Sequence, residues 1–242
     1  MYIRSLRIIA FFGALLVSLV SIEGTAHAQT AGSNVLTFGW MQLRPTTNDS
    51  TPYRIQSIGG QTINQTLPNT GVDLDKINYL GFTFEHYFTD QVAVELVGVI
   101  PRRGQVRATE SLSSFGVIGK SYGISPIALA KYHFGSSSLK FRPYVGMGIS
   151  YNHFTDGEVV NNQFIQHFGS QSASLSVKDT WSPVFDIGVD YQITQRWSLG
   201  LNLIYMPLKA DSTITTSPSN TVVKTTATIN PLFVYLNIGY HF

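Results

Sequence analysis

Beyond residue 28, proton-transfer chemistry would fall to histidines 86, 133, 153, 167 and 241, and the sequence scatters them. Acyl transfer or hydrolysis needs a nucleophile, a base and an orienting carboxylate within hydrogen-bond reach. None of the five histidines stands at a recognisable spacing from a serine. No metal-ligand spacing and no glycine loop suited to cradling phosphates occurs. Cysteine is absent, which removes thiolate, disulfide and Cys–metal chemistry. The histidines therefore read as structural or interfacial, no cofactor is implied, and the chain is not expected to be an enzyme. Glu85, Glu95, Lys131, Arg142, Asp186 and Asp190 are a second chemically capable set, whose meaning depends on the elements that carry them.

Those elements are strands of an unusual kind. From Trp197 to Tyr205 the odd positions are apolar (Trp197, Leu199, Leu201, Leu203) and close with Tyr205, while Ser198, Gly200 and Asn202 alternate with them. A period of two is a β-strand with one apolar face. Its end aromatics lie about 26 Å apart at roughly 3.3 Å per residue. Tilted by about 40°, the stripe is about 20 Å high, close to the lipid-facing belt and aromatic girdles of an outer-membrane barrel. Eight segments repeat the pattern, near 34–44, 77–88, 91–101, 122–134, 140–154, 181–193, 196–209 and 230–242. Thr89-Asp90, Gly135 to Leu139 and Thr194-Gln195 are tight turns, whereas 45–76, 102–121, 155–180 and 210–229 are long, polar connections. Short periplasmic turns against long outer loops predict an all-β, eight-stranded antiparallel transmembrane β-barrel with four long extracellular loops. A soluble up-and-down barrel such as a lipocalin would instead turn its apolar face inward.

Both ends agree with that address. Arg4 and Arg7 precede an apolar run from Ile8 to Val20, and Ala26-His27-Ala28 offers a cleavage site before Gln29. The run of about 13 residues is too short to span a bilayer as a helix. Residues 1–28 are therefore expected to be a cleaved signal peptide and 29–242 a single outer-membrane domain. Removing Arg4, Arg7 and Glu23 from the 16 basic and 14 acidic residues leaves a net charge near +1 with no basic patch, so nucleic acid is not an expected partner. At the other end Phe242, Tyr240, Ile238, Leu236, Val234 and Leu232 share one face. This final strand resembles the signal read by barrel-insertion machinery, an expected partner along with outer-membrane lipid.

Parity then assigns the two faces. Leu80, Phe82, Phe84 and Phe88, with Val145, Met147, Ile149 and Tyr151 and their counterparts on other strands, point to lipid. Glu85, Glu95, Lys131, Arg142, Asp186, Asp190 and His241 point into the lumen of the inner half. Buried charges need partners, so a salt-bridged polar plug is expected there. Toward the outer half Met41, Leu43, Val97, Val99, Ile127, Leu129, Ile204, Met206, Phe233 and Tyr235 point inward, and Gly81, Gly146, Gly148 and Gly200 should leave space. An apolar cavity over a polar plug suits a small hydrophobic ligand or an acyl chain; the same side chains could simply fill so narrow a tube.

Several motifs carry a resemblance across nearly the whole mature chain. They are Arg44-Pro45-Thr46, Leu80-Gly81-Phe82-Thr83-Phe84, Asp90 with Val94-Glu95-Leu96, and Arg142-Pro143-Tyr144-Val145-Gly146 running on to Gly148-Ile149 and Tyr151. Leu175-Ser176, Lys178-Asp179-Thr180-Trp181, Gly188-Val189-Asp190-Tyr191, Trp197, Tyr205-Met206 and Gly239-Tyr240 before Phe242 complete the series. Together they resemble the OmpW family of small outer-membrane proteins. The resemblance implies an eight-stranded barrel of the bacterial outer membrane with a hydrophobic channel, associated with uptake of small hydrophobic compounds and with stress responses. It also implies that Val97 and Ile204 stand at the constriction. One departure bears on the outer mouth: Arg102-Arg103-Gly104 follows Pro101 where the family often has an aromatic and a histidine.

Passive binding and passage of small hydrophobic molecules is the function these readings favour. A docking surface for adhesion, phage or bacteriocin is the alternative that long outer loops permit, with Phe164, Ile165 and Phe168 placing apolar side chains in one of them. These three would otherwise pack over the mouth or form a short helix lying on it. A lipid-modifying barrel enzyme is the least favoured reading.

Overall fold

The computed structural model describes residues 29–47 and 49–242, so the expected signal peptide lies outside the described residues. The first stave, β1 (Asn34–Pro45), runs outward into an excursion carrying β2 (Asp49–Ser50), β3 (Arg54–Ile58), β4 (Gln61–Thr66) and β5 (Thr70–Leu74). The chain returns through β6 (Ile77–Tyr87) and rises again as β7 (Val92–Val99). A second excursion holds β8 (Arg103–Glu110) and β9 (Val117–Ile124) before β10 (Ile127–His133) descends. The long β11 (Phe141–Val159) climbs past the wall and is followed by the short helix α1 (Asn162–His167) and by β12 (Ser172–Val177). Then come β13 (Thr180–Gln192), β14 (Trp197–Tyr205), β15 (Lys209–Ser217), β16 (Val222–Thr228) and β17 (Pro231–His241).

Among the described residues eight of these strands close into a ring. β1 pairs with β6, β6 with β7, β7 with β10 and β10 with β11. From there β11 pairs with β13, β13 with β14, β14 with β17, and β17 with β1. Every pairing is antiparallel, and closure leaves the wall no free edge. Its outer surface is apolar: Met147 is 63% exposed and Trp181 66%, with Phe185, Ile187, Leu199 and Leu201 beside them. Only a hydrocarbon solvent makes that arrangement favourable over burying the same side chains. Phe88, Phe134, Phe141 and Trp197 ring the inner end, and Tyr151, Trp181 and Tyr205 the outer end.

The four long connections are not irregular loops. They carry nine further strands among the described residues, which pair with one another and with the outer part of β11 into a collar standing on the barrel. Their Ser- and Thr-rich composition hides a two-residue period. In β15, Ala210, Ile214 and Thr216 are buried while Lys209, Asp211, Thr215 and Ser217 are exposed. The expected segment 122–134 breaks at Ser125-Pro126, and the expected 196–209 breaks at Met206-Pro207-Leu208. A proline lacks the N–H that a ladder needs, so both breaks fall where wall passes into collar.

Candidate functional site: a two-level lumen

The lower level is polar. Lys131 on β10 lies between Glu85 on β6 and Glu95 on β7, its Nζ 3.3 Å and 3.4 Å from their carboxylates. The ring of Tyr144 covers the same ammonium at 3.8 Å from its centroid. His133, two residues along the same face of β10, places Nε2 2.8 Å from Glu85 Oε1 and Nδ1 3.8 Å from Asp190 Oδ2. Asp190 also accepts from Gln29 Nε2 at 3.3 Å, and Asp186 accepts from Asn202 Nδ2 at 3.4 Å. His241 Nε2 lies 2.8 Å from Ser198 Oγ. All of these side chains except the partly buried Asp190 are buried within the wall, and the space left between them is about 10 Å³, room for about one water.

Arg142 differs from the salt-bridged role expected of it. Its guanidinium donates to the Gln29 carbonyl at 3.2 Å, to Gln29 Oε1 at 2.9 Å and to the Asp90 carbonyl at 2.6 Å, and pairs with no carboxylate among the described residues. It stitches the start of the described chain to the first inner turn and seals the inner end. His133 is the member that sequence reasoning missed, although it shares the strand and parity of Lys131.

The upper level is apolar. Met41, Leu43, Val97, Ile127, Leu129, Ile204, Met206, Phe233 and Tyr235 form one buried cluster, with Val99 packed against it. Tyr79, Val184 and Leu208 belong to the same cluster, and Leu74, Ile77, Phe154 and Ile229 flank it. Parity on β6, on β13 and along the expected stave 196–209 could have found Tyr79, Val184 and Leu208; Leu74 and Ile229 come from segments that read as loop. Tyr235 marks the boundary between levels, its ring in the cluster and its hydroxyl 2.9 Å from Thr37 Oγ1, which in turn meets Thr83 at 2.8 Å. The glycines expected to leave space do not. At Gly81 an added Cβ would stand 2.9 Å from the Tyr235 ring and 3.1 Å from Met41 Cε, so larger neighbours have already filled the room. Gly146 is likewise covered by Lys131 and Gly200 by Asn237, while at Gly148 the β10 backbone comes close.

Space opens above this constriction. One cavity of about 80 Å³ is lined by Leu43, Ile77, Val99, Gly123, Ser125, Phe154 and Met206 among others. A second of about 80 Å³, lined by Val72, Val106, Val177, Ala210 and Ala227 with Asp49 and Asp73, lies within the collar. Leu74, Ser121, Phe154 and Ile229 line both. A second apolar cluster roofs the collar. The rings of Phe164 and Tyr53 are 6.2 Å apart, and Phe115 and Phe168 meet Phe164 edge-on at 5.6 Å and 5.2 Å. Asn161 fixes α1 there, accepting from Phe164 N at 2.9 Å and donating to the Phe115 carbonyl at 2.7 Å. Phe164 and Ile165 thus face inward and are buried, away from any partner outside.

The side wall has an unpaired stretch beside the lower cavity. The β7–β10 ladder ends outward at Val97–Ile127, and the β8–β9 ladder starts at Arg103–Tyr122. Between them 98–102 faces 123–126 with Pro101 and Pro126 in the two stretches. Gly98, Val99, Gly123 and Ser125 of this unpaired seam line the cavity.

Just above the outer girdle His153 Nδ1 lies 2.7 Å from Asp179 Oδ2, and Tyr151 Oη donates to the same oxygen at 2.8 Å. Partial burial alone would raise the Asp179 pKa; the bonds from His153, Tyr151 and the Phe154 amide outweigh it and hold the carboxyl below its ordinary range.

An outward apolar wall between aromatic rims, closed on itself and with a polar inner lumen, defines an integral β-barrel of the bacterial outer membrane. The comparisons with known proteins make the assignment narrower. The OmpW family's profile matches residues 52–242, and the chain belongs to that family. It is 31% identical over 232 residues to Outer membrane protein W of Escherichia coli, covering 95% of this chain and 97% of that one. It is 29% identical over 177 residues to Outer membrane protein AlkL of Ectopseudomonas oleovorans, covering 73% and 71%. The crystal structure of OprG from Pseudomonas aeruginosa shares the fold with a TM-score of 0.76 at 22% identity, covering 89% of this chain and 98% of that one.

Proposed function

We propose that this barrel binds small hydrophobic molecules from outside the cell and passes them sideways into the membrane. The observation that carries the reading is the polarity split of the lumen: two adjoining, largely apolar cavities stand above an ionic plug. An apolar molecule gains by leaving water for the cavities and would lose by displacing the Lys131–Glu85–Glu95 bonds below. The unpaired seam at Pro101 and Pro126 supplies a way out at the level where it would otherwise be trapped. The apolar roof over α1 corrects the simple picture of an open outer mouth, because passage requires the roof to part. Two cavities of this size suit a guest of few carbon atoms in the closed state.

Replacing Val97 or Ile204 with Asp places an unsatisfied carboxyl at the constriction, a cost on the order of 1–3 kcal/mol to an apolar guest. Uptake of a fluorescent naphthalene by cells should fall about tenfold, while the heat-modifiable gel shift of the folded barrel persists. Uptake equal to that of the unmodified protein would defeat the proposal.

A further inference from the structure

The outer rim of the wall carries a cationic patch that no carboxylate neutralises among the described residues. On the lipid-facing side of β1 and β6 the opposed pairs run Phe38–Phe82, Trp40–Leu80 and Gln42–Asn78, from apolar to polar as they near the collar. Gln42 Nε2 donates to Asn78 Oδ1 at 2.8 Å, and Arg44 Nε donates to Gln42 Oε1. Arg102 reaches the same place from the β7–β8 connection, donating to the Asn78 carbonyl at 3.1 Å. Lys76 adjoins the last pair of the ladder, Leu43–Ile77, so it and Arg44 come next on neighbouring strands, both exposed.

Cations close by are matched: Arg103 with Glu158 at 3.4 Å and Arg107 with Asp75 at 2.8 Å. Arg44, Lys76 and Arg102 have no carboxylate within ion-pair distance among the described residues. Like charges opposed across a sheet are destabilising, and an anion seated among them reverses that sign. Membrane-ward of the Gln42–Asn78 pair, Phe38, Trp40, Leu80, Leu201 and Leu236 line a lipid-facing groove of about 610 Å³ at mid-wall, which runs on past Val189, Leu199 and Tyr191 toward the inner rim. It crosses five neighbouring strands, about 19 Å at roughly 4.8 Å per strand, which is wider than one acyl chain needs.

We propose that this face holds a phosphorylated, multiply acylated glycolipid of the outer leaflet. Arg44, Arg102 and Lys76 take its phosphate, the guanidiniums by forked hydrogen bonds, and its chains lie in the groove below. The proposal is independent of what travels through the lumen.

The test is native mass spectrometry of the full barrel released from vesicles containing diphosphorylated lipid A or its dephosphorylated counterpart. The unmodified protein should retain the phosphorylated lipid and shed the other, a comparison that needs no variant to fold. With each cation contributing about fivefold, the triple variant Arg44→Gln, Lys76→Gln, Arg102→Gln should retain it on the order of 100-fold less. A control pair, Arg54→Gln with Lys224→Gln, removes two opposed exposed cations from the collar and should change nothing. Equal retention of both lipids by the unmodified protein overturns the proposal, as does equal loss in the control pair. Binding of inorganic phosphate without retention of the lipid overturns it too.

Discussion

Wall and collar are built from one antiparallel pleat, yet their polarity is reversed. In the wall, β13 exposes Trp181, Pro183, Phe185 and Ile187 and buries Ser182, Val184 and Asp186. In the collar, β15 exposes Lys209, Asp211 and Thr215 and buries Ala210 and Ile214. The backbone is indifferent to the exchange; the solvent outside is not. Hydrocarbon surrounds the wall, so its apolar side chains are satisfied outward and charge retreats inside. Water surrounds the collar, so it needs an apolar core of its own, supplied by Tyr53, Phe164, Ile214 and Val223. The cavities lie where the two regimes meet, which is also where the ladders lose register.

The strongest way to break the comparison is to remove the cation from the wall's interior. Lys131→Met leaves Glu85 and Glu95 buried without it, at a cost of about 3–5 kcal/mol, measured by urea unfolding in micelles. Adding Glu85→Gln and Glu95→Gln should recover most of that loss, since the penalty belongs to uncompensated charge. A collar-only effect, with the wall's stability unchanged, would sink the plug as described. Next in size is a matched pair of substitutions. Ile187→Lys on the lipid face should cost about 2–4 kcal/mol, whereas Thr215→Lys on the collar's wet face should stay within about 0.5 kcal/mol. Equal costs would mean that both surfaces meet the same solvent.

The smallest expected effect concerns the junction between the regions, where Asp179 meets His153 and Tyr151. Asp179 has its folded pKa lowered, so its contribution is complete above the ordinary carboxylate pKa near 4 and fades as pH falls through the folded value. The carboxylate is partly exposed and solvent screens it, so the gain is small. Asp179→Asn should flatten the acid dependence of proteolytic nicking in the collar. An unchanged profile would mean that the bonds to Asp179 do not hold the junction together.

How far this was legible in the sequence follows from period and solvent. Alternation in β13, β14 and β17 gave the staves and their outward faces, because a strand immersed in lipid must carry an unbroken apolar stripe. The same parity gathered Met41, Val97, Ile127, Ile204 and Phe233 on the lumen side. The collar was illegible because water tolerates Thr and Ser on either face, and short strands such as β12 and β16 carry too few apolar residues to announce a period. His133 was passed over because a histidine's meaning lies in its neighbours, and Glu85 and Asp190 are far from it in sequence.

Recognition of Phe242 by insertion machinery and cleavage after Ala28 are proposals that rest on sequence pattern. What the sequence determined alone was the alternation, and with it the membrane, the number of staves and the sidedness of each. Closure decided the rest. Only when the staves meet do Lys131 and two carboxylates share one plug, Arg142 turn from salt bridge to seal, and Tyr235 fill the hollow at Gly81. These are contacts between residues distant in the chain, and distance in the chain is what a local pattern does not encode.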